Sequence, residues 1–145
     1  MDRAVTRKRT RTRWIAVADD DDAMRTLLVA SIASLGVEVR GVKDGSELVE
    51  VVCRSDATPS LVVTDLQMPN LSGMSAIRRI RKAGVEVPIV LVTAFGSDSL
   101  HADARRVGAT AVLDKPFPVA TLQGLVRELL AIPDVAAAEE EREVG

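Results

Sequence analysis

Asp19, Asp20, Asp21 and Asp22 stand in a row directly after a short apolar run, Ile15-Ala16-Val17-Ala18. A second run, Leu61-Val62-Val63-Thr64, ends on a lone Asp65. A carboxylate at the end of a buried strand is costly to desolvate unless a positive or hydrogen-bonding group compensates it. Two such strands side by side would crowd at least Asp19, Asp20 and Asp65 together. Clustered carboxylates repel, and one is driven to a raised pKa unless a cation sits among them. An all-oxygen set of this kind suits Mg²⁺, which takes one or two carboxylates together with water and phosphate oxygens. Two further polar residues follow apolar runs: Thr93 after Ile89–Val92, and Lys115 just beyond Ala111–Leu113. A metal lets carboxylates face an anionic phosphoryl group, and a hydroxyl and an ammonium can hold its remaining oxygens.

The elements that must position these residues are legible from Ile15 onward, where apolar runs and amphipathic segments alternate five times. Ile15–Ala18 reads as a buried strand, and Asp22–Leu35 as a helix with Met24, Leu27, Leu28 and Ile32 on one face and Gly36 as its stop. Val37–Val42 alternates, as a strand near an edge does. Asp44 and Glu47 form a capping box for a helix reaching about Arg54. Leu61–Thr64 is the third strand. Met74, Ile77 and Ile80 form the stripe of a third helix, which leaves Arg78, Arg79, Arg81 and Lys82 on a solvated face. Ile89–Val92 is the most apolar strand. A helix over Ser97–Val107 ends at Gly108, Ala111–Leu113 is a fifth strand, and Pro118–Ile132 closes the body with Leu122, Leu125, Val126, Leu129 and Leu130 inward. Short apolar runs alternating with helices predict an α/β fold on a mainly parallel sheet, whose ligands bind beyond the carboxyl ends of the strands.

Bulk properties narrow the function classes. The 145 residues suffice for one domain, and 47% hydrophobic with 28% charged is a globular balance. Aromatics amount to 2%, with no Tyr, which argues against binding by stacking. The one cysteine, Cys53, allows no internal disulfide and fits a reducing, cytoplasmic setting. No run is long enough to span a membrane. Charge is segregated: residues 1–14 carry six basic side chains against Asp2, and residues 134–145 carry five acidic ones against Arg142. The expected organisation is a basic, disordered tail over 1–13, a folded unit over 14–132 and an acidic, disordered tail over 133–145.

Val17-Ala18-Asp19-Asp20, Asp65-Leu66-Gln67-Met68-Pro69-Asn70 with Gly73, Val92-Thr93-Ala94 and Lys115-Pro116-Phe117 keep the order and spacing of one family. Over residues 14–131 the chain resembles the receiver domain of bacterial two-component response regulators. The resemblance implies a flavodoxin-like three-layer sandwich: a five-stranded parallel sheet in order 2-1-3-4-5, five helices and a cis Lys115–Pro116 bond. It implies that Asp65 accepts a phosphoryl group from a phosphohistidine of a sensor histidine kinase or histidine phosphotransfer protein. Asp20, Asp65 and the backbone carbonyl of Gln67 would ligate Mg²⁺, with Asp19 helping directly or through water and Mn²⁺ able to substitute. Thr93 and Lys115 would grip the phosphoryl group. Output is expected through a protein partner, on the surface of the fourth helix, fifth strand and fifth helix. The chain is expected to turn over no separate metabolite and to carry no DNA-binding or catalytic output domain. One departure stands out. The family commonly carries an aromatic on the last strand that follows the Thr, and Val112 occupies that place, with one stiff torsion and no ring.

Competing readings are weaker. A metal-dependent phosphohydrolase with Asp65 as nucleophile commonly has an acid two residues later, and Gln67 cannot serve. A flavin module of this fold would need a Ser/Thr/Gly-rich loop where the acidic run stands. Asp21 and Asp22 read as helix-start carboxylates accepting backbone N–H groups. His101 reads as a solvated histidine, Cys53 as a small hydrophobe and Trp14 as the anchor of strand one. The run Arg7–Arg13 could contact nucleic acid but reads more simply as a solvated tail. Phe95 is expected beside the site, where it would control water access.

Overall fold

The computed structural model describes residues 13–54 and 56–133. In chain order the elements are β1 (Trp14–Ala18), α1 (Asp22–Ala33), β2 (Glu38–Val42), α2 (Gly45–Arg54), β3 (Leu61–Asp65), α3 (Gly73–Lys82), β4 (Ile89–Thr93), α4 (Asp98–Val107), β5 (Ala111–Asp114) and α5 (Val119–Leu130). All neighbouring strands pair in parallel, in the order β2-β1-β3-β4-β5, so both the α/β class and the strand order are as expected. The expected tails lie outside the described residues apart from Arg13 and Pro133, and Arg13 donates from Nη1 to the Leu130 carbonyl at the end of α5.

Why the apolar runs became strands is visible in their burial. Every residue of β1, β3 and β4 is buried, because helices cover both faces of the sheet centre. Trp14, Ala16, Ala18, Val62, Ile89 and Leu91 pack toward α2, α3 and α4. Their alternating neighbours Ile15, Val17, Leu61, Val63, Val90 and Val92 pack toward α1 and α5. The period of two in a strand thus builds two cores from one sheet. The edge strands β2 and β5 are only partly covered, which is why β2 alternates in sequence. Trp14 is buried, donates its indole N–H to the Ala57 carbonyl at 3.0 Å and carries the Arg40 guanidinium 4.2 Å above its ring. Cys53 is half-buried, and burial raises its thiol pKa.

Four expectations for the helices need correction. Leu27 is 48% exposed, because it stands at the mouth of an apolar hollow of about 150 Å³ between α1 and the start of α5, with Leu28 and Ile32 taking the core. Asp21 caps no backbone group with its side chain; its own N–H donates to Asp19 Oδ1 at 2.9 Å, and Asp22 instead pairs with Arg25. The capping box of α2 forms with a shifted return: Glu47 N–H donates to Asp44 Oδ1, while Glu47 Oε1 accepts from Lys43, one residue early.

Arg81 is the fourth correction. Arg78, Arg79 and Lys82 are exposed, but Arg81 folds under the start of β5. Its Nε and Nη2 donate to the Gly108 carbonyl at 3.1 and 2.8 Å, and Nη1 to Val85 at 2.9 Å. Removing a charged donor from part-buried carbonyls costs about 1–3 kcal/mol, whereas a solvated arginine contributes less than about 0.5 kcal/mol. Arg81→Ala should therefore lower the urea midpoint clearly and Arg78→Ala should not. Equal midpoints would contradict this packing.

Candidate phosphoacceptor and metal site

The parallel registers carry the candidate residues to one rim. Ala18 is level with Thr64, which places Asp19 beside Asp65; Asp65 is level with Val92, and Thr93 with Asp114. Backbone bonds continue the ladders past the strand ends, from Asp19 N–H to Val42, Leu66 N–H to Val92 and Lys115 N–H to Thr93. Asp19, Asp20, Asp65, Thr93 and Lys115 are therefore neighbours in space although they span 97 positions of sequence.

Asp19, Asp20 and Asp65 each offer a carboxylate oxygen, and these oxygens lie within 4.8 Å of one another. Asp19 is 1% exposed and Asp65 9%, while Asp20 faces the opening. Lys115 Nζ lies 3.2 Å from Asp65 Oδ1 and 3.7 Å from Asp19 Oδ2. One ammonium against three carboxylates leaves the cluster short of positive charge. Burial, with repulsion from Asp65, raises the Asp19 pKa despite the opposing Asp21 N–H bond and the Lys115 charge. Asp19 Oδ2 is buried and accepts no hydrogen bond. An orphaned carboxylate oxygen inside an all-oxygen cluster fits a hard divalent cation.

The cleft over this cluster holds about 570 Å³ and is lined by Asp20, Asp65, Gln67, Thr93, Phe95 and Lys115, among others. Every site residue expected from the sequence is thus brought together: Asp65, Thr93 and Lys115, and the metal set Asp19, Asp20, Asp65 and Gln67. Phe95 is 66% exposed at the cleft edge, as expected. Lys115–Pro116 is cis. The loop after Asp65 is held at close quarters. Gly73 N–H donates to the Leu66 carbonyl, and a Cβ at Gly73 would stand 2.2 Å from the Asp65 carbonyl oxygen, so only glycine fits. Asn70, with φ 69°, donates to Asp44 Oδ2 and so ties this loop to the start of α2. Arg25, which sequence reasoning missed, donates to the Asp19 carbonyl at 2.9 Å; no spacing signal marks it.

The response regulator receiver domain profile matches residues 15–127. This chain belongs to the receiver domain family. Among receiver relatives, the response regulator MprA of Mycobacterium leprae is 37% identical over 125 residues, which cover 85% of this chain and 54% of that protein. The C4-dicarboxylate transport regulator DctD of Pseudomonas aeruginosa is 31% identical, over 81% of this chain and 25% of its own length. The chain thus spans between a quarter and about half of these regulators. Among solved structures, the receiver domain of the sensor histidine kinase PA1611 from P. aeruginosa, with magnesium coordinated in its active-site cleft, superposes with a TM-score of 0.74 at 30% identity, covering 83% of this chain and 98% of that one. The Francisella response regulator 1452 receiver domain, at 24% identity and a TM-score of 0.77, shares the receiver fold.

The raised Asp19 pKa has a consequence for stability. The unfolded chain ionises this carboxyl near its ordinary 3.8, before the folded one does, so folding stability is lost as pH climbs through that interval. Metal-free Asp19→Asn should be at least as stable as wild type at about pH 7, with the difference shrinking toward about pH 4. Mg²⁺ should reverse the ranking, because the wild type gains more from binding it. Urea denaturation with chelator and with Mg²⁺ checks both signs; a variant that is less stable in chelator at neutral pH would contradict the reading.

Proposed function

We propose that this receiver domain is a phosphorylation switch in which Asp65 accepts the phosphoryl group. The observation that carries the reading is the meeting of Asp65, Lys115 and the orphaned Asp19 oxygen in one cleft. An Asp65 carboxylate oxygen attacks the phosphorus of a phosphohistidine. The P–O bond of an acyl phosphate forms, the P–N bond breaks, and the imidazole nitrogen leaves with its electron pair. The donor is a sensor histidine kinase or a histidine phosphotransfer protein.

Asp19, Asp20, Asp65 and the Gln67 carbonyl would hold Mg²⁺, or Mn²⁺ in its place. The ion would neutralise the carboxylates and the incoming phosphoryl oxygens. Lys115, now against Asp65 Oδ1, follows the oxygens as a mobile point charge. Thr93 supplies a hydroxyl; its Oγ1 accepts the Phe95 N–H at 3.0 Å, so any turn toward a phosphoryl group acts on its own loop. Phosphorylation then biases a two-state element, and the readout is a protein contact on α4, β5 and α5. Val112, half-buried on β5 beside Leu91 of β4, offers no ring to that readout. No helix among the described residues is long and apolar enough to cross a membrane, and the proposed setting is the cytoplasm.

Intact mass after treatment with acetyl phosphate and Mg²⁺ tests the acceptor. Wild type should gain one phosphoryl group, and Asp65→Asn and chelated wild type none. An equal gain in Asp65→Asn would reassign the acceptor, and steady turnover of an added phosphoester would favour a hydrolase.

A further inference from the structure

One polar pair at this rim has no part in the chemistry above. His101, on α4, places Nε2 2.9 Å from Oδ1 of Asp114, the last residue of β5. Asp114 is the register partner of Thr93 and directly precedes Lys115, so it stands between the two residues assigned to the phosphoryl group. Gly96 runs against the pair. A Cβ there would lie 1.8 Å from Asp114 Oδ1 and 3.0 Å from His101 Nε2. The backbone of the 94–97 loop is therefore in contact with the pair on one side. On the other it is tied to Thr93, whose Oγ1 accepts from Phe95.

These contacts fix a direction. The loop has no room to move toward Asp114, and moving away forfeits the packing of Gly96 against the pair. The pair is matched to the loop position in which the Thr93 hydroxyl is engaged with its own loop. On the phosphoacceptor reading, a phosphoryl group on Asp65 would draw that hydroxyl toward β3, and the loop with it.

We propose that His101 and Asp114 form a latch that holds the 94–97 loop in its unphosphorylated position and opposes the switch. Both are positioning residues, and the proposal rests on the phosphoacceptor reading. The two side chains are 32% and 52% exposed, so the latch is a bias and not a lock. Opening it changes the switching equilibrium by about 2–10-fold, the scale of one hydrogen bond.

The test is titration of beryllofluoride with Mg²⁺, followed by the bound fluoride signals in ¹⁹F NMR. His101→Ala should bind beryllofluoride about 2–10-fold more tightly while lowering the urea midpoint of the free protein. Gly96→Ala, which displaces the Asp114 carboxylate, should do the same. His101→Gln, with an amide nitrogen in reach of Asp114, should return toward wild type. A merely structural pair would lower stability and affinity together. A mutation-free readout is also available, because His101 is the sole histidine of the chain. Its ring signal should shift when beryllofluoride binds to wild type. Unchanged or weaker binding in His101→Ala, or a ring signal that stays put while fluoride is bound, overturns the latch alone. Absence of bound fluoride in wild type overturns the phosphoacceptor reading, and the latch with it.

Discussion

Mutual repulsion among Asp19, Asp20 and Asp65, answered by a single lysine, is the constraint around which the rest is arranged. Carboxylates held this close are tolerated only where rigid surroundings over-determine their positions. The fully buried strands β1 and β3 supply that rigidity, and the parallel register sets Asp19 level with Asp65. The cis Lys115–Pro116 bond, the Gly73 contact and the Asn70–Asp44 tie all fall on loops that border the cluster. The site is poor in positive charge, which suits a role that calls for a cation and an anion to arrive together.

Much of this was legible in the sequence because the relevant signals are one-dimensional. Runs buried on both faces announce central parallel strands, and a polar residue just after such a run can only sit on the rim. That logic located Asp19, Asp65 and Thr93 from their neighbours alone, and Lys115 from its place just past the fifth run. The family resemblance supplied the strand order, the Gln67 carbonyl and the roles, none of which spacing could give.

What the sequence did not disclose depends on pairs far apart in the chain. Arg81 looks like the fourth member of a solvated cluster until the Gly108 and Val85 carbonyls are seen beneath it. His101 looks isolated on its helix because its partner, Asp114, lies on another element. Asp21 has the residue type of a helix cap, yet the neighbouring Asp19 takes its N–H first. Leu27 belongs to the right stripe but falls at an apolar hollow between α1 and the start of α5. Each is a case of tertiary geometry deciding among partners that local pattern leaves equivalent.

The covering of β1, β3 and β4 by helices on both sides also separates two kinds of residue by depth. The candidate site residues are anchored to the interior, whereas Arg78, Arg79, Lys82, Arg105 and Arg106 lie on the outward faces of α3 and α4. Substitutions among those outer side chains leave the interior ladder undisturbed. The outward charge pattern can therefore be rewritten without touching the geometry of the rim.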